Sequence, residues 1–437
     1  MSRPMQIKFL SRLREDELEQ THSYLTRNER LPLIVFEGRL DERAHIKDQI
    51  AAVQKSGKPI CSTVVIEGAP GAGKTSLLNQ IEKENLDGPI NSGVIPIMME
   101  VEVFNDPVLF LEKFLLHSEV NFEALSKSYT KDGKGKVDLK LLELGGGIQS
   151  HLPALDTQIR ESPGRIWNVI RQSLYPSDDP IFLLLVDEAQ RIEPNSGSRN
   201  TLVSNLHGAV DIAGLKIIPV FAGLSDTGKC LEQVGITRRS REDFMLSSLS
   251  HEEGRQVCTA TIEKLGLEKL FTPSQIDHIA HSLDIASDSW PRHLHRYLQT
   301  LVKEVANSQL KGTSYLDLNR VLDEGHDIRI QYYQTRLQVK GQKQFDKELN
   351  QIAKDHQTEG KKITYEKLSG CFFEKVTNLK EVEEIIDSYV HNGILDELLD
   401  GSYVFPIPSL ETFLASGRDV DKTKEMLRSK VREATGG

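Results

Sequence analysis

Residues 68–75 read Gly68-Ala69-Pro70-Gly71-Ala72-Gly73-Lys74-Thr75, a complete G-x-x-x-x-G-K-S/T octet. Such an octet suits one task, the grip on a polyphosphate. Its glycines let the backbone curl until successive N–H groups point at one anion, and the dipole of a following helix adds to their pull. Lys74 would reach the β- and γ-phosphates and the Thr75 hydroxyl would ligand Mg²⁺, with Ser76 completing the binding segment. A second cluster, Asp187-Glu188-Ala189-Gln190, closes the apolar run Ile181-Phe182-Leu183-Leu184-Leu185-Val186. Asp187 would hold Mg²⁺ through water beside Thr75, and Glu188 would accept a proton from an attacking water. An acidic pair alone also serves to cap a strand; behind a complete octet the metal-and-water role is the stronger reading. A third cluster is Gly223-Leu224-Ser225-Asp226-Thr227. A polar side chain there would sit near the γ-phosphate and the lytic water. Ser225 is the first choice, Asp226 and Thr227 stand beside it, and turn chemistry accounts for all three almost as well.

These groups must be carried by strands. Thr63 to Ile66 is a β-branched run that enters the octet, and a helix starts behind it. Ile181 to Val186 is apolar throughout, as expected of a central parallel strand covered on both faces. Leu215 to Ala222 and Val94 to Val101 complete the set. The fold class that follows is α/β, a P-loop NTPase with a parallel β-sheet core.

The chain has 437 residues, 38% apolar and 27% charged, which suits a globular protein of two or three domains. Its net charge of −10 argues against coating nucleic acid through bulk electrostatics. No apolar run approaches the ~20 residues that span a bilayer. Residues 1–30 lack the apolar stretch of a secretory signal. The expectation is a cytoplasmic protein with no membrane partner. Cys61, Cys230, Cys258 and Cys371 lie apart, with no C-x-x-C, and read as reduced thiols rather than a zinc site. The pairs His278/His281 and His293/His295 read as surface or packed histidines.

The order of motifs resembles the AAA+ superfamily. More narrowly it resembles the branch of replication-initiator and transposon-associated (TniB- and ExeA-like) ATPases. Val35-Phe36-Glu37-Gly38-Arg39, with Glu42, is similar to the F-x-G-R-x-x-E segment that lies near the adenine, which implies Phe36 and Arg39 as nucleotide contacts. Gly235-Ile236-Thr237-Arg238-Arg239-Ser240-Arg241 falls where the family carries an arginine finger; Arg238 comes first, Arg239 next and Arg241 third. A finger acts on a neighbouring subunit's ATP, which implies a homo-oligomer with Arg238 working in trans. Trp290-Pro291-Arg292-His293-Leu294 resembles the "sensor 2" motif, which would place Arg292 over the γ-phosphate. Guanidinium groups suit both places, because phosphoryl transfer spreads charge over the γ-oxygens. The resemblance covers roughly residues 33–300.

The implied organisation is an N-terminal helical extension (1–32), an ATPase core (33–250), a helical lid (251–326) and a winged-helix-like domain with a helical tail (327–437). An insertion over about 118–162, with Lys131-Asp132-Gly133-Lys134-Gly135-Lys136 and Gly145-Gly146-Gly147, departs from the pattern. It reads equally as a partner contact or an exposed loop. In the last domain the spacing predicts helices over 342–355, 364–373 and 379–393, then a hairpin over 394–405. The helix that would enter a DNA groove carries Glu381, Glu383, Glu384 and Asp387 against one Lys380, and acidic groups are repelled by phosphate. Two functions follow, both with ATP and Mg²⁺ as cofactors. One is an AAA+ motor or switch that oligomerises with nucleotide and acts on DNA, in a mobile-element or defence setting. The other is a signalling or scaffold ATPase whose nucleotide state controls docking of a protein effector.

Overall fold

Alternating apolar runs and glycine breaks dictate a layered α/β chain, and the computed structural model has that layout. It describes residues 5–14, 16, 17, 19, 24, 35–56, 63–86, 93–101, 110, 114, 167, 171, 180–192, 206, 208–237, 241–338, 345–360, 362–373, 375–376, 378–398 and 400–435. The insertion over 118–162 and the finger candidates Arg238 and Arg239 lie outside the described residues. Internal contacts divide the chain into two compact units. One comprises Arg39–Glu67 and Leu77–Met245; the other comprises Met1–Gly38, Gly68–Ser76 and Leu246–Gly437.

The first element is a strand, β1 (Gln6–Lys8), within the segment read as a helical extension, in which the described residues Asp16, Glu17, Glu19 and Tyr24 are helical. Ile7 and Phe9 are buried while Gln6 and Lys8 are exposed, a two-residue alternation that a strand satisfies and a helix does not. The sheet unit contains α1 (Leu40–Ser56), which buries Ile46, Ile50 and Val53. It is followed by β2 (Thr63–Gly68), α2 (Lys74–Leu86), β3 (Val94–Glu100), β4 (Ile181–Asp187), β5 (Lys216–Gly223), α3 (Thr227–Gln233) and β6 (Arg241–Leu246). The strands form one five-stranded sheet in the order β3-β4-β5-β2-β6. β4 is parallel to β3 and β5, and β5 is parallel to β2. In register, Glu67 stands opposite Gly223 and Val186 opposite Phe221. The C-terminal ends of β2, β5 and β4 therefore share one edge of the sheet, where open α/β sheets gather their ligands. Every residue of β5 and the first six of β4 are buried, which is why both read as unbroken apolar runs.

The second unit is largely helical. It contains α4 (His251–Lys264), α5 (Pro273–Ser287), α6 (Pro291–Leu310), β7 (Tyr315–Asp317) and α7 (Leu318–Arg336). Ser250 with Glu253, and Thr272 with Gln275, form reciprocal capping boxes, and proline opens both α5 and α6. β1 pairs antiparallel with β7, Ile7 opposite Leu316, so the chain's beginning closes on the lid helices. Ile7, Phe9, Leu294, Leu301, Leu316 and Val431 share one apolar core. α7 runs unbroken past residues 326 and 327, where the sequence suggested a boundary. No proline interrupts it.

Beyond α7 lie α8 (Asp346–Glu359), β8 (Ile363–Thr364), α9 (Tyr365–Phe373), α10 (Leu379–His391), β9 (Asp396–Glu397), β10 (Ser402–Val404), α11 (Leu410–Ala415) and α12 (Val420–Thr435). The expected hairpin gains a third strand, in the order β8-β10-β9. α10 buries Val382, Ile385, Ile386, Tyr389 and Val390, and it turns Glu381, Glu383, Glu384 and Asp387 to solvent. Among the described residues no helix is long and apolar enough to cross a membrane.

The capping boxes give a direct test. Thr272→Ala removes the oxygen that accepts the Gln275 N–H and should cost about 1 kcal/mol of stability by urea unfolding. An unchanged midpoint would show that Pro273 alone sets the start of α5.

Candidate functional site

The octet leaves β2 at Gly68 and enters α2 at Lys74. Gly71 (φ 94°) and Gly73 (φ 97°) adopt a backbone conformation in which a side chain is strained. The loop curls because glycine stands at both positions. The Ala72 N–H donates to the Ala69 carbonyl at 3.1 Å. Lys74 Nζ donates to the carbonyls of Gly68 (2.6 Å) and Ala69 (3.2 Å), folded over the loop it would share with a phosphate. The first turn of α2 holds no acidic residue, so no carboxylate competes with an anion for the helix N-terminus. Thr75 is exposed there and Ser76 half-buried. A curled loop, a lysine and a bare helix start make a donor set that fits a nucleotide polyphosphate with its Mg²⁺.

Residues 68–76 belong to the largely helical unit, which supplies a second wall to the loop. The backbone N–H of Arg292, in the first turn of α6, donates to the Gly71 carbonyl at 3.1 Å. Tyr332 of α7 donates its hydroxyl to the Pro70 carbonyl at 2.9 Å. The Arg292 guanidinium carbon lies 4.6 Å from the centroid of the Tyr332 ring, in cation–π contact. A β-carbon on Gly71 would stand 2.8 Å from Arg292 Cβ and 3.0 Å from Trp290 Nε1. Gly71 is thus required twice, by its own dihedral and by the closeness of α6. His293, which follows, is buried against the rings of Tyr332 and Tyr333, and burial pushes its imidazole well below the usual range.

In the sheet unit the acidic pair ends β4. Asp187 Oδ1 accepts the Glu188 N–H at 2.9 Å. Glu188 itself is left-handed (φ 56°, ψ 34°) and lies outside the strand. Its direction is therefore set by that turn and not by strand alternation. Such a conformation costs about 1–3 kcal/mol and persists only where neighbours hold it. Gln190 Nε2 donates to Glu188 Oε2 at 2.6 Å, and the Arg191 guanidinium lies 3.8 Å from the same oxygen. Gln190 is buried, and its Oε1 accepts the Leu224 N–H at 3.2 Å. A β-carbon on Gly223 would approach that oxygen to 2.6 Å. Gln190 therefore ties the Glu188 carboxylate to the tip of β5, immediately before Ser225. The sequence reading assigned Gln190 no role; an amide two positions past a carboxylate was the only signal for it.

Ser225 is half-buried in the turn between β5 and α3. Asp226 caps α3 without a side-chain bond to the helix, and Thr227 is fully buried. Arg241, the third finger candidate, is excluded from that role. Its side chain is 3% exposed. It donates to the carbonyls of Gly228 (2.7 Å) and Ile236 (3.2 Å), and to Glu232 (3.1 Å) and Asp243 (2.8 Å). Phe36 is half-buried; Arg39, left-handed at φ 56°, lies 3.8 Å from Glu42. Glu67, one residue before the octet, accepts the Gly228 N–H at 2.7 Å. Burial pushes its carboxyl up to about 7, against that hydrogen bond and the nearby Arg241.

Two outcomes can be measured at this site. Gly71→Ala should weaken nucleotide binding about tenfold or more, since a side chain at φ 94° must also displace Arg292. Unchanged affinity in a titration with a fluorescent nucleotide would show that α6 can retreat freely. For Glu67, the folded protein holds a proton between pH 4.5 and about 7 that the unfolded chain has released. Glu67 therefore lowers stability as pH rises through that window and adds no slope above it. Glu67→Gln should lose this part of the pH dependence in urea unfolding, and parallel profiles would count against the buried acid.

No protein-family model and no curated protein match this chain. Solved structures do resemble it. The Walker-type ATPase paby2304 of Pyrococcus abyssi is similar over 90% of this chain and 99% of its own, with a TM-score of 0.54 and 14% identity. The ORC2 protein of Aeropyrum pernix, solved in ADPNP–ADP complexes, is similar over 98% of this chain and 100% of its own, with a TM-score of 0.52 and 12% identity. At such identities the likeness speaks for the fold. With the parallel strand pairs and the loop geometry above, that fold is the α/β fold of a P-loop NTPase, shared with these two proteins.

Proposed function

We propose that this chain is a Mg²⁺-dependent ATPase that oligomerises with nucleotide and works as a switch or motor on DNA or a DNA-associated complex. The observation that carries the reading is the octet itself. It is curled at Gly71 and Gly73 between β2 and the N-terminus of α2, and β4, two strands from β2 in the same sheet, ends in Asp187. The nucleotides held by the A. pernix ORC2 protein support the same use of the loop here. Lys74 and the loop N–H groups would bind the β- and γ-phosphates, and Thr75 and Asp187 would hold Mg²⁺. Phe36 and Arg39 would lie by the base. Glu188 would take the proton of the water that attacks the γ-phosphorus as the bond to the β-phosphate oxygen breaks. Ser225 would hold that water, and Arg292 with Arg238 or Arg239 would neutralise charge on the γ-oxygens. Arg238 would reach a neighbouring subunit's ATP. Replication-initiator or transposon-associated work, in a cytoplasmic mobile-element or defence setting, is the finer form of the proposal.

The order α8, β8, α9, α10, β9, β10 supports a winged-helix reading of the C-terminal part. The solvent face of α10 favours a second function for that part. With Glu381, Glu383, Glu384 and Asp387 outward, it suits a protein effector better than a phosphate backbone.

The test is ATP turnover of the purified chain with and without duplex DNA, at low and moderate salt. Turnover should be stimulated by DNA. If turnover ignores DNA, the effector reading replaces the DNA reading. Lys74→Ala should lose nucleotide binding. Glu188→Gln should bind ATP and turn it over at least about a hundredfold more slowly. Rapid turnover by that variant would remove Glu188 from the reaction.

A further inference from the structure

α5 and α6 are joined by a turn that is built against backbone preference. Asp288 (φ 55°) and Ser289 (φ 53°) are consecutive non-glycine residues in the left-handed region. Trp290 follows in an extended conformation, and α6 begins at Pro291. This turn fixes where the Arg292 N–H stands, and that N–H is the donor to Gly71 of the phosphate loop. Strained backbone of this kind survives only where its surroundings over-determine it.

The surroundings come from the far end of the chain. Asp288 pairs with Arg329 of α7 and with Lys430 of α12, and it accepts the Ser409 hydroxyl at 2.7 Å. Arg329 is 1% exposed and spends its remaining donors on the Ala286 carbonyl, the Tyr333 hydroxyl and the Pro408 carbonyl (3.1 Å). Tyr333 donates to the same Pro408 carbonyl at 2.6 Å. One turn of α7 thus grips the strained turn with Arg329, the C-terminal segment with Tyr333 and the phosphate loop with Tyr332. A buried guanidinium needs its fork fully engaged, so these partners stand or fall together.

We infer that Arg329, acting through Asp288, is a positioning residue that couples the seating of residues 408–430 to the phosphate-binding loop, so that the C-terminal segment regulates nucleotide handling. Arg329 touches no nucleotide in this scheme; it acts by holding the turn that aims Arg292. A partner that draws Pro408 and Ser409 away removes a carbonyl from Arg329 and a hydroxyl from Asp288. The strained turn relaxes, and the Arg292 N–H leaves Gly71. The regulatory part of the inference rests on the ATPase proposal; the structural coupling does not.

The test uses the full chain carrying Ser409→Ala together with Lys430→Ala. These changes remove two donors from Asp288 and leave the buried Arg329 pair in place. Amide hydrogen exchange, followed by mass spectrometry without nucleotide, should quicken about fivefold in segments 288–294 and 68–76, with β4 unchanged. ATP turnover should change in kcat, by about fivefold, more than in KM. Arg329→Lys, which keeps the charge and loses the fork, should behave as the double variant does. Unchanged exchange in both segments overturns the coupling, and so does an equal quickening that includes β4, the mark of global destabilisation. A wild-type chain that binds no ATP sinks the ATPase proposal, while the exchange result still decides the coupling.

Discussion

The amide of Arg292 meets the carbonyl of Gly71 at 3.1 Å, and much of the second unit can be understood as the means of keeping them there. A hydrogen bond between two backbones tolerates no side-chain adjustment, so both chains must be fixed from behind. On the loop side the constraint is glycine, since any β-carbon would enter α6. On the helix side it is a pair of left-handed residues, which would relax were they not clamped by Arg329 and Lys430.

The clamp is electrostatically costly in isolation. Burial alone would raise the Asp288 carboxyl, and Arg329 and Lys430 override it and hold it well below the usual carboxylate range. A buried pair of this kind contributes little net stability compared with apolar packing, yet removing one partner is expensive. That asymmetry suits geometry more than strength. The sheet unit uses a similar device with a neutral amide in place of the guanidinium, where Gln190 joins the Glu188 carboxylate to the backbone at the tip of β5.

The strands and the loop were legible because their signals are local. The apolar runs of β4 and β5 follow from burial on both faces, and the octet carries its own geometry. The helical character of residues 251–326 was legible too, and prolines open α5 and α6 there. What escaped the sequence depends on partners far along the chain. β1 is a strand because Leu316 lies opposite Ile7, and no window around Ile7 contains that fact. Arg329 reads as an ordinary helical arginine until Asp288 and Pro408 are brought to it. Arg241 stood as the third finger candidate because it closes the run Thr237-Arg238-Arg239-Ser240, whereas its acceptors at Gly228 and Glu232 come from α3.

The pairing of β1 with β7 bears on how the molecule is made. A ribosome releases residues 6–8 long before residues 315–317, and the core that receives Ile7 also needs Val431 near the end of the chain. The sheet unit lies within residues 39–245, and its described core cluster is drawn from residues 65–236. Synthesis therefore delivers the loop's sheet first and its helical wall last, because α7 with Tyr332 emerges after more than three hundred residues have been made. During that interval the Pro70 and Gly71 carbonyls wait for Tyr332 and Arg292, which are made later.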